Sequence, residues 1–152
     1  MNRNAANRTM HNAGTDHSFV SLQLLVNHFL GKCMTEAFRT KSVIVNNVPR
    51  DIRVSRSNAI VAPVIRELLN TVARNARNGD IIVAAERFRN TIILKIQDRN
   101  NYNGYALTSS LLSLESDALM VEGNITVEGA QQKVVTVSFS FPGDSDDNEC
   151  NS

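Results

Sequence analysis

The chain has few cysteines and no long apolar run, and its charges nearly cancel. Its only two cysteines, Cys33 and Cys150, are too few for a disulfide framework and cannot form a zinc site by themselves. The apolar runs fall well short of the roughly 18 residues that a membrane-spanning helix requires. With 16 Lys and Arg against 15 Asp and Glu, the net charge is +1, which gives no electrostatic argument for nucleic acid or an anionic membrane as partner. We therefore expect a reducing, cytoplasmic setting.

The composition that remains is typical of one globular domain. Hydrophobic residues make up 42% and charged residues 20% of the 152 residues, which is enough to bury a single core. Residues 1–17 are rich in Asn and contain no apolar segment, so we expect a disordered tail rather than a secretory signal. Residues 143–152 carry four carboxylates and no basic group, which predicts a solvated acidic tail. The predicted domain is therefore 18–142.

Apolar residues at three- and four-residue spacing predict two long helices. The first extends over about 18–39, with Ser18 as the candidate N-cap. The second extends over about 58–76, with Ser57 as its candidate N-cap. Pro63 lies near the start of this second helix and predicts either a kink or a late start.

Period-two patterns predict short strands in the rest of the chain. A short helix over 105–117 is predicted between the fourth and the fifth of these strands. The first two strands are predicted to form an edge hairpin and the last two a closing hairpin. This order predicts an α+β fold, a two-layer sandwich of a mixed, mostly antiparallel sheet with helices on one face. The predicted strands are 42–46, 52–54, 80–85, 91–98, 120–128 and 133–141.

Three stretches form a pattern when they are taken in chain order. The helix Val64–Asn75 is followed by Gly79-Asp80-Ile81, the strand Ile92–Asp98 ends in a carboxylate, and Glu122–Val127 with Thr136–Pro142 forms the closing hairpin. This pattern resembles the Bergerat-fold ATPases, the superfamily of gyrase and the histidine kinases. It is most similar to the catalytic and ATP-binding domain of two-component sensor histidine kinases, and it covers residues 20–142.

The resemblance implies nucleotide-binding residues on the second helix. The place of the family's Mg²⁺-binding asparagine falls on Thr71, whose hydroxyl can ligate Mg²⁺ but is shorter than an amide. Asn70 and Asn75 lie nearby but project differently. Neighbours on a helix point about 100° apart, so Asn70 cannot replace residue 71 without a change of register. Glu67 matches an acidic residue that some members use to polarise water, or is an exposed helix carboxylate. Arg74 matches a basic position that could approach phosphate, or is a solvated arginine.

The resemblance also implies that Asp98 binds the amino group of adenine. Asp98 shares the parity of the core-facing residues of its strand, so its carboxylate needs a partner. The alternative is an aspartate that caps the following turn. The family expects Asp-x-Gly-x-Gly here, but only Gly104 remains, displaced along the chain. No glycine lies between Gly104 and Gly123, so the glycine-rich lid that would hold phosphates through backbone N–H groups is missing.

These departures lead to one main prediction and two alternatives. The main prediction is a degenerate histidine-kinase-type ATPase-like domain that acts as a regulatory protein-binding module in a two-component-like pathway. It would hold no cofactor, would not be an active enzyme alone, and would bind a response regulator, a kinase helical hairpin or a sigma-factor-like client. The first alternative is a live catalytic domain of a sensor histidine kinase that binds ATP or ADP with Mg²⁺ through Asp98 and the Asn-box helix. The second is an unrelated α+β binding domain, since fold alone does not fix function.

Overall fold

The computed structural model describes residues 19–55 and 60–143 of the chain. The candidate caps Ser18 and Ser57 lie outside these residues, as do both predicted tails except for Gly143. The strands are β1 (Phe19–Ser21), β2 (Val43–Asn46), β3 (Arg53–Ser55), β4 (Asp80–Phe88), β5 (Thr91–Asp98), β6 (Asn124–Glu128) and β7 (Val135–Pro142). The helices of the described residues are α1 (Leu22–Arg39), α2 (Val61–Asn75), α3 (Gly104–Leu111) and α4 (Glu115–Met120), with a 3-10 turn at Leu112–Leu114.

The main sheet has five strands in the order β2-β4-β5-β7-β6. β2 lies parallel to β4, and the other neighbouring pairs are antiparallel. The predicted α+β class, with its mixed and mostly antiparallel sheet, is therefore confirmed. The register places Asp98 opposite Ile81 on β4 and Val135 on β7. Since both neighbours are buried, the carboxylate of Asp98 lies on the face of the sheet that the helices cover.

The predicted edge hairpin between 42–46 and 52–54 is wrong. β2 pairs with β4 in the main sheet, whereas β3 pairs with β1 in a separate two-stranded sheet. The connection between β2 and β3 buries Val48 and Ile52 in the core, so the chain turns inward instead of folding back on β2. A strand of three or four residues has too little pattern of its own to determine its partner, which depends on where its apolar side chains reach the core.

Helix α1 begins later than predicted because the chain enters it through β1. Ser21 caps the helix, and its Oγ accepts a hydrogen bond from the N–H of Leu24 at 3.3 Å. The cap satisfies one of the N–H groups that lack an intrahelical partner. The helix buries one apolar stripe with three- and four-residue spacing, Leu22, Val26, Phe29, Cys33 and Ala37.

Helix α2 begins at Val61, and Pro63 lies in its first turn. Proline is tolerated there because its missing N–H would have no intrahelical partner. Of the two alternatives predicted for Pro63, a kink in the helix or a late start of the helix, the structure therefore confirms the late start. The helix packs against α1 and against the inner face of the sheet through a broad apolar stripe. The buried residues of α2 are Val61, Val64, Ile65, Leu68, Leu69, Thr71, Val72 and Ala73.

The strands β5 and β7 bury every second residue against the helices, and β4 does so only in its first half, at Ile81 and Val83. On β5 the buried residues are Ile92, Leu94, Ile96 and Asp98, and the side chains between them are half-buried or exposed. On the other face, no helix of the described residues covers positions such as Lys95. The predicted two-layer arrangement, with helices on one face, is confirmed for residues 19–55 and 60–143.

The segment between β5 and β6 is helical, as predicted, and longer than predicted. It contains α3, the 3-10 turn and α4, so the predicted strand 120–128 begins only at Asn124. The turn of the closing hairpin lies where the sequence placed it. There Gly129 adopts a φ of +80°, a conformation that is strained for other residues. None of the helices in the described ranges has the length and hydropathy needed to cross a membrane.

Candidate functional site

Asp98 ends β5 and is only 4% exposed. Its Oδ1 accepts a hydrogen bond from the backbone N–H of Asp80 at 3.1 Å and another from the N–H of Asn100 at 2.9 Å. Burying a carboxylate without partners is costly, and these two donors offset that cost. Asp98 thus caps the turn that follows its own strand and ties that turn to the start of β4. This is the structural role that the sequence left open for it.

Gly79 packs closely against the second oxygen of Asp98. A Cβ at residue 79 would lie 3.2 Å from Asp98 Oδ2 and 3.0 Å from both Ser42 Oγ and the Cβ of Ala76. The N–H of Gly79 also donates to Ser42 Oγ at 2.9 Å. Both oxygens of the carboxylate therefore face tightly packed chain rather than a wide cavity.

Thr71 lies on the buried stripe of α2 and is only 3% exposed. Its hydroxyl contacts Arg74 Nη2 at 3.5 Å. A Mg²⁺ ion keeps several waters in most protein sites, and this hydroxyl lies within packed side chains. In this arrangement Thr71 does not fit a Mg²⁺ site that is open to a nucleotide.

The two asparagines of α2 face different neighbours. Asn70 Oδ1 accepts a hydrogen bond from the thiol of Cys33 on α1 at 3.0 Å. Asn75 Nδ2 donates to the backbone oxygen of Thr71 at 2.9 Å and reaches Ser110 Oγ on α3 at 3.4 Å. Asn70 therefore joins α2 to α1, and Asn75 joins α2 to α3. The structure does not bring Asn70 and Thr71 together around one opening.

Glu67 is half-exposed on α2 and lies 3.6 Å from the guanidinium of Arg66. Its charge also acts on Cys33. Burial raises the pKa of the Cys33 thiol above its ordinary value of 9.0, and the negative charges of Glu36 and Glu67 raise this pKa further. Cys33 is therefore held as a neutral thiol that donates to Asn70.

The raised pKa of Cys33 makes stability depend on alkaline pH. The unfolded chain releases the thiol proton near 9.0, whereas the folded chain retains it to higher pH. The free energy of unfolding should therefore fall as the pH rises from 9.0 towards the folded-state pKa. Urea denaturation at pH 7.5 and pH 10 measures this fall, with Cys150→Ser as the common background. Cys33→Ala in that background should weaken the dependence, and an equal dependence in both proteins would contradict this prediction.

Gly104 begins α3 and is buried. A Cβ at this residue would lie 2.1 Å from the backbone oxygen of Ala130, so only glycine lets α3 approach the closing hairpin this closely. Asn103 caps the helix, and its Oδ1 accepts from the N–H of Ala106 at 3.2 Å. The retained glycine thus serves packing between α3 and the hairpin. Asn101, which donates to the backbone oxygen of Gln132 at 2.8 Å, fixes the loop before it.

The helices after Gly104 bury their apolar side chains in the domain core. Leu107, Leu111, Leu114 and Ala118 are all less than 7% exposed and belong to the same core as α2. Leu107, Leu111 and Leu114 thus form a packed layer against α2. Asp98, Asn70 and Thr71 line none of three surface cavities, which measure about 630, 310 and 420 Å³.

Arg74 is exposed, and it lines the cavity of about 420 Å³ at the ends of α1 and α2. This cavity also contains cations that the sequence analysis did not single out, Arg39, Lys41 and Arg77. The only signal in the sequence was a basic residue in the last turn of each helix. No group of three metal-ligating side chains occurs in the part of the chain that the structure describes.

Comparison with known proteins identifies the fold through solved structures. No protein-family model matches the sequence, and no curated protein matches it. Among solved structures, the Acinetobacter baumannii histidine kinase AdeS superposes with a TM-score of 0.67 at 15% identity, over 84% of this chain and 68% of that one. The catalytic domain of the histidine kinase ThkA, in a nucleotide-free form, superposes with a TM-score of 0.61 at 16% identity, over 83% of this chain and 96% of that domain.

The chain has the histidine kinase-like ATPase fold. A third structure, histidine kinase ThkA in complex with the response regulator protein TrrA, matches with a TM-score of 0.62 at 14% identity. The match covers 94% of this chain and 49% of that ThkA chain. The resemblance drawn from the sequence is confirmed at the level of the fold, because these histidine kinase structures superpose on most of this chain.

Proposed function

We propose that this histidine kinase-like ATPase fold serves as a regulatory protein-binding module in a two-component-like pathway of the cytoplasm, with nucleotide binding weak or lost. The observation that carries the proposal is the state of Asp98. Its Oδ1 already accepts two backbone hydrogen bonds, and the residue is 4% exposed. An adenine amino group would have to use the other oxygen, Oδ2, which lies close to Gly79.

The packing of the segment after Gly104 supports the same proposal. A nucleotide lid must open and close over its ligand, whereas this segment buries Leu107, Leu111 and Leu114 in the core. Exposing a buried leucine costs about 1.5–3 kcal/mol, so lifting the segment away from α2 would be unfavourable. Ser110 adds a hydrogen-bond contact with Asn75 on α2.

The partner class is supported by one of the structural matches. The ThkA structure contains a histidine kinase in complex with a response regulator protein. On that likeness we propose a signalling protein as the partner of this domain, with a response regulator as the first candidate. A kinase helical hairpin and a sigma-factor-like client remain the other two candidates from the sequence analysis.

The second candidate function is an ATP-dependent protein histidine kinase domain. Its support is the fold, which this chain shares with catalytic domains. Asp98 would hold the adenine of ATP or ADP, and Thr71 would serve Mg²⁺. These residues fit that role only if the core around them rearranges, because both are buried. The remaining candidates for this site are Glu67, Asn70, Arg74 and Gly104.

A thermal-shift titration separates the two functions. We expect that ATP and ADP, each with and without Mg²⁺ and up to millimolar concentration, cause no rise in melting temperature that the variant Asp98→Asn abolishes. A ligand that binds only the folded state at a hundred times its Kd adds about 2.7 kcal/mol of stability. A Mg²⁺-dependent rise would therefore overturn the proposal, provided that the variant Asp98→Asn abolishes the rise.

A further inference from the structure

Four cationic side chains surround the cavity of about 420 Å³ at the C-terminal ends of α1 and α2. We call this cavity the basic cleft. No carboxylate lines it, although the whole chain has nearly equal numbers of acidic and basic residues. Placing several positive charges around one cavity is unfavourable unless an anion neutralises them. The lining residues are Arg39, Thr40, Lys41, Arg74, Arg77 and Asn78.

Three of these cations have no acidic partner among the described residues. Arg39 pairs with Glu36 one turn earlier on α1. Lys41, Arg74 and Arg77 form no ion pair with any residue of the ranges 19–55 and 60–143. The guanidinium of Arg77 instead lies 5.1 Å from the centre of the Tyr102 ring, a contact that holds the side chain without neutralising it. The cleft therefore keeps a positive charge that the described protein does not offset.

The floor of the basic cleft is fixed by hydrogen bonds between two loops. The N–H of Asn78 donates to the backbone oxygen of Thr40 at 2.8 Å. The hydroxyls of Thr40 and Ser42 lie 2.9 Å apart, and Ser42 accepts from Gly79. Lys41 and Asn78 both adopt left-handed conformations, with φ of 57° and 51°. Because the loops hold each other in place, little ordering is required when a ligand binds.

Helix dipoles provide a competing explanation for the cations. Arg39 and Arg74 lie in the last turns of α1 and α2, where positive charge is favourable. Each helix end is equivalent to about half a negative charge, so the two ends together offset about one of the four cations. Lys41 and Arg77 lie beyond the helix ends. The dipoles therefore explain part of the cluster, and a surplus of positive charge remains.

We propose that the basic cleft binds a small phosphate-bearing ligand. Arginine forks donate parallel hydrogen bonds to oxyanions, and the volume is in the range of small-molecule sites. Glu36 offsets Arg39 and the two helix ends offset about one further charge, so a surplus of about two positive charges remains, which one phosphate group of about −1.5 to −2 can neutralise. Asp98 does not line the cleft, so this inference is independent of the function proposed above.

Calorimetric titration with inorganic pyrophosphate at constant ionic strength tests the proposal, with sodium chloride as the reference anion. The cleft variant is Lys41→Gln/Arg77→Gln. The matched control is Arg66→Gln/Lys95→Gln, which removes the same charge from two residues that pair with Glu67 and Glu86 outside the cleft. We expect saturable binding to the native protein and the control, and binding at least about tenfold weaker to the cleft variant.

Several outcomes would overturn this assignment. One is the absence of saturable binding beyond the chloride reference, and another is an equal loss in both double variants. If Asp98→Asn abolishes pyrophosphate binding, the anion belongs to a nucleotide site and the cleft is not its receptor. ADP is titrated in parallel, so ADP binding that depends on Asp98 contradicts the proposed function and leaves the cleft assignment intact. Since all four cations are exposed, the variants should fold, and single substitutions give the same comparison if a double variant does not.

Discussion

Asp98→Ala is expected to lower the free energy of unfolding by about 2–4 kcal/mol. The substitution removes the acceptor of two backbone hydrogen bonds, from Asp80 and Asn100. Hydrogen bonds to charged groups contribute about 1.5–3 kcal/mol each, and buried donors left without a partner add a desolvation cost. Because these bonds connect the end of β5 to the start of β4, the loss should appear in the global unfolding transition.

Urea denaturation measures this loss, with two variants as controls. Asp98→Asn keeps an oxygen that can accept both bonds, so we expect it to retain most of the stability. Asp80→Ala removes an exposed carboxylate that pairs with Arg99 at 3.0 Å, and surface pairs contribute about 1 kcal/mol or less. If Asp98→Ala proves no more harmful than Asp80→Ala, the capping role of Asp98 is wrong.

Gly104→Ala is expected to lower the free energy of unfolding by about 2–3 kcal/mol, or to prevent folding. The added Cβ would lie 2.1 Å from the carbonyl oxygen of Ala130, which is backbone and cannot rotate away. Relieving such a contact requires α3 to move from the closing hairpin, and overpacking of this kind costs about 1–3 kcal/mol. The shift would also disturb Leu107, which α3 buries in the core.

Gly31→Ala is the matched control for this prediction. Gly31 lies within α1, and a Cβ there would meet nothing within 4 Å. Alanine is favoured over glycine in a helix by about 0.5–1 kcal/mol, so this variant should be more stable than the native chain. Thermal and urea unfolding of both variants give the comparison. Equal effects of the same sign would show that the close approach of α3 and the hairpin does not constrain the fold.

The long elements could be predicted from the sequence because their signals are local. The stripe of α1 and the alternation of β5 each repeat several times, so the period identifies the element and its buried face. The fold class followed from the order of these elements. The two short strands β2 and β3 were assigned the wrong partner, because pairing is decided between residues that are distant in the chain.

The candidate site was predicted only in part, for the same reason. The parity of Asp98 indicated a buried carboxylate that needs a partner, and the structure supplies that partner from the backbone. The basic cleft was missed because its cations come from two segments that are more than thirty residues apart. No local pattern marks Lys41 or Arg77, since the cleft exists only where the ends of α1 and α2 meet.

By itself, the sequence determined the helices, the long strands, the α+β class and the burial of Asp98. The hydrophobic period and the composition of a segment are properties of a few neighbouring residues, and folding does not change them. Only the tertiary structure decided that Asp98 caps its own turn, that the helices after Gly104 pack against α2, and that four cations surround one cleft. These features depend on distances of 2–5 Å between residues far apart in the chain, and such distances are set when the layers pack.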